Sequence, residues 1–345
     1  MSRVLGTATA TGDVGTAAIQ SSTGRQGAAV LDTLDMRIAA ALQADGRARW
    51  REIARMVGAS ETTVSRRATA MFAKNLIRST IAIDPQRCGL GHAVVVQFNC
   101  MAGHSTEVAS ALAARPDARF VALVTGPFDV VAEFIVSSRN ELASLLADDL
   151  GSTSGVSHLT TEVVLRNFKA SHDWSRELLG GAAPPPEPPR GKVEAVQLDA
   201  VDRDLIALLG SDARQSNQQL ADALGVSESM ARRRIDRLIA QGCLLPATLV
   251  EPALLGYEIE VFALLKVDLG KLEAIAAQLA AVPSVRYLSA TSGFTDLVAE
   301  VILRSHDELY NFQTRVLGHI DGIREANVAL EIRTLKRAFL PGVAA

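Results

Sequence analysis

One stretch of this 345-residue chain occurs twice, at a constant spacing of 167 positions. Leu31-Asp32-x-x-Asp35 returns as Leu198-Asp199-x-x-Asp202, and the spacing then holds without a gap to the end of the chain. It carries Arg47 to Arg214, Gly58 to Gly225, Pro85 to Pro252, Pro116 to Pro283, Asp129 to Asp296 and Lys169 to Lys336. A repeat this long excludes a solenoid and indicates two copies of a complete module.

The front third of each module has the pattern of three short helices. Apolar residues recur at helical spacing, and in the third helix they are Val64, Ala68 and Met71, repeated as Ala231, Ile235 and Leu238. That helix follows a glycine (Gly58 or Gly225) and a serine two residues later that can cap it. A glycine turn leading into a capped basic helix predicts a helix-turn-helix.

The back two-thirds of each module changes to a mixed pattern of strands and helices. In the first copy we predict strands at residues 93–98, 119–125, 130–136 and 162–166, with helices at 106–115 and 140–150. The second copy repeats the series from 261–267 to 328–333. This order predicts a ferredoxin-like βαββαβ domain.

The expected architecture is therefore α+β, with two copies of a helix-turn-helix followed by a βαββαβ domain. The predicted boundaries are a disordered tail (1–29), a helix-turn-helix (30–85), a βαββαβ domain (86–175), a Pro-rich linker (176–196), a second helix-turn-helix (197–252) and a second βαββαβ domain (253–345). The linker composition is typical of a semi-rigid spacer.

Composition limits the class of protein. The net charge is −3, so any interaction with nucleic acid must depend on local charge. Three cysteines (Cys88, Cys100, Cys243) are too few and too scattered for a disulfide framework or a zinc site. No apolar run is long enough to cross a membrane and no signal peptide is evident, so we expect a cytoplasmic protein without membrane contact, metal or cofactor.

The order and spacing of these motifs resemble the Lrp/AsnC (feast/famine) family of regulators. Its marks here include Asp45-Gly-Arg47, Gly58-x-Ser60 and Gly126-Pro-Phe-Asp129, with their copies. The family's usual chain holds one module, whereas this one holds two. The resemblance implies a transcriptional regulator that binds double-stranded DNA and a small effector, often an amino acid, and forms oligomers. Whether the two modules pair within one chain or between chains is left open.

The predicted DNA contacts lie on the outer face of the third helix of each copy. They are Ser60, Thr62, Thr63, Ser65, Arg66 and Thr69 with the nearby Arg49 and Arg51 in the first copy, and Ser227, Ser229, Arg232 and Arg233 in the second. Hydroxyls reach phosphates and arginine can read guanine. The alternative is a solvated basic face without a partner. Arg67 and Arg234 lie beside the apolar stripe, where we expect them to pair with Asp35 and Asp202.

The two copies differ in charge. Residues 45–78 carry eight Lys and Arg against three acids, a net of +5, while residues 212–245 carry five Arg against four acids, a net of +1. Neutralisation of phosphate dominates affinity for DNA. The sequence therefore predicts that the first copy binds more strongly. Asn75, which replaces Gly242 of the second copy, tolerates the left-handed conformation that the turn requires.

The Gly-x-x-Asp loops are the candidate effector sites. Resemblance places the effector near Gly126 and Asp129 and near Gly293 and Asp296, where an aspartate could bind an ammonium group. The structural alternative is that the glycines supply a positive-φ turn and the aspartates stabilise it. Pro127 removes one amide from the first loop, which favours the second.

An enzyme is the rival interpretation. Tandem proteins that resemble this family include sirohaem decarboxylases, which need His and Arg for a tetrapyrrole's carboxylates. The six histidines here do not recur at the 167-residue spacing, and none adjoins a Gly-x-x-Asp loop, so we expect no catalytic residue. A third possibility is an effector-binding or architectural protein in which only one half still binds DNA.

Overall fold

The computed structural model of the chain describes residues 31–170, 173–180 and 195–337. The predicted tail and most of the predicted linker lie outside the described residues. Among the described helices, none combines the length and the apolar character needed to cross a membrane.

The first module begins with three helices and a strand. They are α1 (Thr33–Ala44), α2 (Trp50–Val57), α3 (Glu61–Ala73) and β1 (Ile77–Ile83). Six further elements follow: β2 (His92–Cys100), α4 (Ser105–Ala114), β3 (Ala118–Val124), β4 (Val130–Val136), α5 (Arg139–Ser144) and β5 (Val156–Ala170). The helix predicted at 140–150 is α5, continued by a π-helical turn at Leu145–Leu150.

The second module repeats this order. Its front part contains α6 (Ala200–Ser211), α7 (Asn217–Leu224), α8 (Glu228–Ala240) and β6 (Leu244–Val250). Its back part contains β7 (Ile259–Val267), α9 (Leu272–Ala280), β8 (Val285–Ser292), β9 (Leu297–Leu303), α10 (His306–Asn311) and β10 (Ile323–Arg337). The mixed class with two helix-turn-helix units agrees with the sequence prediction.

A two-stranded ribbon joins the two helix-turn-helix units. Strands β1 and β6 pair antiparallel from Ile77 opposite Val250 to Ile83 opposite Leu244. Each strand also completes the other unit's core. Ile81 and Ile83 pack with the apolar residues of α6, α7 and α8, while Val250 packs with those of α1, α2 and α3. The modules therefore pair within this chain.

The strands of the two back domains close into one eight-stranded barrel. The order is β10-β3-β4-β2-β5-β8-β9-β7, with β7 paired to β10. Successive side chains alternate between faces. Val94, Val96 and Phe98 pack outward under α4, whereas Val95 points into a core that also contains Phe262 and Leu264 of the second module.

The last strand of each domain is much longer than expected. The predicted last strands covered only residues 162–166 and 328–333, but β5 and β10 each span 15 residues. The first half of β5 pairs with β2 of its own domain and the second half with β8 of the other. In the same way β10 passes from β7 to β3. Each strand crosses between neighbours through bulges near Leu165 and Ile332.

Two equivalent lysines, one on each of these long strands, form further hydrogen bonds between the modules. Lys169 Nζ donates to the carbonyl of Val282 at 2.8 Å, beyond the end of α9. Lys336 Nζ donates to the carbonyl of Arg115, at the end of α4. Because helix carbonyls at a C-terminus lack intrahelical donors, an ammonium group there stabilises the helix end. Burial lowers the pKa of Lys169 to about 8.

The predicted linker begins later than expected. Residues Arg176–Leu179 form a 3₁₀ turn, and Leu178 and Leu179 pack against the core of the first helix-turn-helix with the buried Trp174. These residues therefore belong to the folded part of the first module.

Candidate functional site

The second helix of each helix-turn-helix begins at a serine. Ser60 Oγ accepts from the Thr63 amide at 3.2 Å, and Ser227 Oγ accepts from the Met230 amide at 3.3 Å. The preceding turns contain Gly58 and Gly225, with φ of 69° and 65°. A capping hydroxyl satisfies one of the free amides of the first turn and fixes where the helix begins. Both predicted caps are confirmed.

The first recognition face is open. Val64, Ala68 and Met71 are buried, as their spacing predicted. Of the predicted DNA contacts in this copy, Arg49, Arg51, Ser60, Thr62, Arg66 and Thr69 are exposed, while Thr63 and Ser65 are half-buried. The Ser60 hydroxyl also donates to Thr63 Oγ1 at 2.9 Å. The exposed residues lie on α3 and at the start of α2.

The second recognition face is equally open but carries an acid. Ser227, Ser229, Arg232 and Arg233 are all exposed. The hydroxyls of Ser227 and Ser229 lie 3.1 Å apart. Asp236 is exposed one turn after Arg232 and Arg233, so this face carries a negative charge beside its two arginines.

Arg67 and Arg234 pair with the first helix of their own copy, as predicted. Arg67 contacts Asp35 at 2.9 Å and Asp32 at 2.5 Å. Arg234 contacts Asp202 at 2.7 Å and Asp199 at 2.8 Å. Backbone and guanidinium donors lower the pKa of Asp32. These arginines hold α3 and α8 against α1 and α6 and are not available to read bases.

Arg47 and Arg214 hold the two helix-turn-helix units together. Arg47 donates to the carbonyl of Ala213 and, at 3.2 Å, to Asn217 Oδ1. In return Arg214 donates to the carbonyls of Gly46 and Ala48, at 2.8 Å and 3.0 Å. Each arginine thus binds the turn between the first two helices of the other copy. Burial lowers the pKa of both groups.

The predicted charge difference needs a correction. Arg47 was counted as a cation available to phosphate, but it is committed to the second copy. In residues 45–78, five cations (Arg49, Arg51, Arg55, Arg66, Lys74) are exposed beside three exposed acids. In residues 212–245, three cations (Arg232, Arg233, Arg237) are exposed beside four exposed acids. The net exposed charges are +2 and −1, so the ranking of the two copies persists with smaller values.

The Gly-x-x-Asp loops have the geometry of the structural alternative. Asp129 Oδ2 accepts from the Cys100 amide at 2.7 Å, and Asp296 Oδ2 accepts from the Val267 amide at 2.8 Å. The glycines Gly126 and Gly293 have φ of 102° and 153°. Each aspartate therefore secures the end of a neighbouring strand through one oxygen.

The last strand of the other module faces each loop. A Cβ atom on Gly126 would lie 3.9 Å from Ala329 Cβ, an ordinary van der Waals contact. A Cβ atom on Gly293 would lie 2.5 Å from Glu162 Oε2. Glu162 and Ala329 occupy equivalent positions in the repeat. The two loops are therefore different sites, because only the second contains a buried carboxylate.

Glu162 is bound on one side only. Its Oε1 accepts from the Thr295 amide and from Thr295 Oγ1, each at 3.1 Å. Its Oε2 is buried and has no hydrogen-bond partner among the described residues. Burial raises the pKa of Glu162. Sequence reasoning missed this residue, although the 167-residue spacing would have shown a glutamate opposite an alanine.

The barrel also contains a cluster of ion pairs. Arg119 pairs with Glu133, and the equivalent Arg286 pairs with Glu300. The second half adds Arg337, which contacts Glu260 and Glu300 at 2.8 Å and Glu331 at 3.2 Å. Glu260, Glu300 and Glu331 lie near enough to share a metal ion, but Arg337 already binds all three. Burial and the nearby carboxylates raise the pKa of Glu331 to about 8.

The histidines occupy none of these places. In the described part of the chain His92, His158, His306 and His319 are exposed and His104 is half-buried, while His172 lies outside the described residues. None of the five lines the barrel core or joins a cluster with metal-ligand geometry.

Models of two domain families match both halves of the chain. The AsnC-type helix-turn-helix domain matches residues 31–71 and 198–239. The Lrp/AsnC ligand binding domain matches residues 93–174 and 260–340. Each match falls within one of the four units described above.

Proteins and structures that resemble the chain fall into two groups. An uncharacterised HTH-type transcriptional regulator of Pyrococcus abyssi is 34% identical over 136 residues, which are 39% of this chain and 86% of the relative. The HTH-type transcriptional regulator FL11 of the same organism is 34% identical over 142 residues, which are 41% of this chain and 93% of the relative. The crystal structure of the siroheme decarboxylase NirDL superposes on 91% of this chain and 95% of its own, with a TM-score of 0.60 at 14% identity. That likeness concerns the fold.

Proposed function

The chain belongs to the Lrp/AsnC family, and we propose that it is a sequence-specific DNA-binding transcriptional regulator whose two DNA-reading helices are supplied by one chain. Relatives that carry a single module are named as transcriptional regulators. A family dimer would use two chains to present two recognition helices. Here the tandem modules supply that pair internally.

The observation that carries this proposal is the reciprocal clamp of Arg47 and Arg214, together with the β1–β6 ribbon. Both join one helix-turn-helix to the other at equivalent positions. A pair of recognition helices with a fixed relation suits two half-sites on one duplex, since half-site spacing mirrors the geometry of the pair. The exposed faces of α3 and α8 are free to meet the two half-sites.

The two DNA-reading helices, α3 and α8, differ in the charge of their exposed faces. The first face is net positive, whereas the second is net negative and includes Asp236. Affinity for DNA is dominated by contacts to phosphate. We therefore propose an asymmetric operator in which the half-site bound by α3 provides most of the affinity.

The test begins with selection of bound duplexes from a random 30-base-pair library. The enriched duplex is then used to compare Arg66→Ala with Arg233→Ala in a gel-shift titration. We expect Arg66→Ala to lose about tenfold or more in affinity, because one bidentate contact to a base contributes roughly 1–3 kcal/mol, and Arg233→Ala to lose less. Arg139→Ala, at the start of α5, is the matched control on the barrel. Equal losses for the two α3 and α8 variants would refute the asymmetry, and no enrichment would refute DNA reading.

We propose further that a small effector, an amino acid in the first instance, binds at the Gly-x-x-Asp loops. The supporting feature is an aspartate at each loop, Asp129 or Asp296, with one carboxylate oxygen held by a backbone amide and a second that can receive an ammonium group. Isothermal calorimetry with each of the twenty amino acids is the test. Asp129→Asn and Asp296→Asn keep the acceptor for the backbone and remove the charge, so each should abolish heat from its own loop. Absence of heat with the wild-type chain would favour a purely structural role.

An enzyme similar to the siroheme decarboxylase remains the second candidate, because that fold superposes on nearly the whole tandem chain. None of the described histidines lines the barrel core, which is formed by apolar residues and arginine–glutamate pairs. Incubation with sirohaem separates the two candidates. Binding of the tetrapyrrole with release of CO₂ would establish the enzyme.

A further inference from the structure

Two of the three cysteines meet at one junction between the modules. Cys88 lies between β1 and β2, and Cys243 lies between α8 and β6, 155 positions later. Cys88 Sγ donates to the Cys243 carbonyl at 3.3 Å, and Cys243 Sγ donates to the Arg87 carbonyl at 3.6 Å. Both side chains are buried and both thiols are free.

The equivalent junction in the other half has no cysteine. The 167-residue spacing relates Cys88 to Leu255 and Cys243 to Leu76. Leu255 is buried in the core of the first helix-turn-helix, and Leu76 packs against the same core. At one junction the two equivalent positions are therefore the leucines Leu76 and Leu255, and at the other they are the cysteines Cys243 and Cys88. Packing alone is satisfied by leucine, so this paired replacement points to the chemistry of the thiols.

We propose that Cys88 and Cys243 form a dithiol site which a hydroperoxide converts into an intramolecular disulfide. Cys88 Sγ reaches the Cys243 carbonyl, and Cys243 Sγ reaches the carbonyl of Arg87, the residue before Cys88, so the two buried side chains meet at one place. A disulfide requires that the two Cα atoms lie within about 7 Å of each other. The remaining cysteine, Cys100, lies at the end of β2 in the barrel and takes no part.

The chemistry needs one equivalent of hydroperoxide, here hydrogen peroxide. The Cys243 thiolate attacks one peroxide oxygen, the O–O bond breaks, and a sulfenic acid and one water are produced after proton transfer. Cys88 then attacks the sulfenic sulfur, the S–O bond breaks, and a second water leaves as the S–S bond forms. Two thiols lose two electrons and two protons in total, and hydrogen peroxide is reduced to two waters.

The surroundings assign the order of attack. The neighbouring Cys88 side chain lowers the pKa of Cys243, and the neighbouring Cys243 side chain together with burial raises the pKa of Cys88. A thiolate is the nucleophile in this reaction. Because both sulfurs are buried, oxidation follows local opening of the junction and is slower than reaction of an exposed thiol.

The disulfide between Cys88 and Cys243 would displace the second recognition helix, α8. Helix α8 ends at Ala240, three residues before Cys243. The two sulfurs of a disulfide lie about 2.05 Å apart, closer than any non-bonded contact, so the turn after α8 must move toward residues 84–90. The consequence for DNA rests on the proposed function: oxidation shifts α8 relative to α3 and lowers affinity for the selected duplex.

The test uses the full chain after reduction and desalting, in the wild type and in Cys100→Ser. After treatment with hydrogen peroxide and removal of the excess, free thiols are alkylated and the digested protein is examined by mass spectrometry without reduction. We expect the wild type to fall from three alkylated cysteines to one, with a peptide linking Cys88 to Cys243 in both proteins and its loss on addition of dithiothreitol. Persistence of both thiols, or their conversion only to sulfinic acids or intermolecular links, would overturn the proposal.

The effect of oxidation on DNA binding is measured separately. Oxidised Cys100→Ser should bind the selected duplex at least threefold more weakly than its reduced form, and Cys100→Ser with Cys88→Ser should show no such change. A disulfide that leaves affinity unchanged would overturn the regulatory part. If neither form binds DNA, the proposed function fails, and the mass measurement still decides the dithiol site.

Discussion

The clamp between the two helix-turn-helix units predicts a large effect for a single substitution, Arg214→Ala. The guanidinium of Arg214 donates to Gly46 and Ala48, at 2.8 Å and 3.0 Å, and lies 4.0 Å from the centre of the Trp50 ring. Ala48 is buried, so loss of the donor leaves its carbonyl without a partner and away from water. The substitution therefore removes the hydrogen bonds of Arg214, and it also leaves a buried carbonyl group without a partner, which is unfavourable.

The change in the free energy of unfolding can be estimated from these contacts. A hydrogen bond from a charged donor contributes roughly 1.5–3 kcal/mol, and the contact with Trp50 roughly 0.5–2 kcal/mol. Because Arg214 is only partly buried, solvent compensates part of the loss, and we expect the free energy of unfolding to fall by about 3 kcal/mol. Arg214→Lys keeps the charge but cannot bind two carbonyls as a fork, so it should lose about half as much.

Tryptophan fluorescence during urea unfolding is the appropriate assay. The chain has two tryptophans, Trp50 and Trp174, and both belong to the core of the first helix-turn-helix. The signal therefore reports on the clamped region rather than on the barrel. Arg232→Ala is the control, because it removes an exposed arginine of α8 and should change stability by less than about 0.5 kcal/mol. If Arg214→Ala also stayed within that range, the clamp would not hold the two units together.

Two further predictions concern the barrel and its loops. Gly293→Ala places a Cβ atom 2.5 Å from Glu162 Oε2 and 2.7 Å from the Thr161 carbonyl, whereas Gly126→Ala makes only an ordinary van der Waals contact with Ala329. Thermal unfolding should therefore show a loss of roughly 1–2 kcal/mol for Gly126→Ala from backbone strain alone and a clearly larger loss for Gly293→Ala. Similar losses would show that crowding by Glu162 is unimportant. Burial and the neighbouring carboxylates of Glu260 and Glu300 raise the pKa of Glu331 from its ordinary 4.5 to about 8, although Arg286 and Arg337 lie nearby. Its protonation therefore stabilises the folded chain below pH 4.5, and this contribution is lost as pH rises through about 8. Glu331→Gln should accordingly flatten the decline in melting temperature between pH 5 and pH 9, and an unchanged profile would contradict the assignment.

Local features of the fold were predictable because they depend on neighbouring residues. The serine caps, the apolar stripes of α3 and α8 and the pairing of Arg67 and Arg234 followed from helical spacing. The left-handed conformation at Asn75, with φ of 53°, followed from its equivalence to Gly242.

The contacts between modules were not predictable in this way. The hydrophobic pattern of a strand does not specify which neighbouring strand it pairs with, so the extension of β5 and β10 into the other domain was not predicted. Arg47 was misassigned for the same reason: nothing near it in sequence distinguishes an arginine that binds phosphate from one that binds Ala213 and Asn217. Glu162 acquires its significance only from Thr295, 133 positions away.

Fusion of the two modules explains why these contacts differ between the halves. In a symmetric dimer of identical chains, every substitution appears at both equivalent places. A glutamate facing one loop would then face the other, and a cysteine pair at one junction would recur at the second. In this chain Glu162 stands opposite Ala329, and Cys88 with Cys243 opposite Leu255 with Leu76. Each half can therefore hold a buried carboxylate or a thiol pair without a cost at the other, and its loops, junctions and DNA-reading faces can specialise separately.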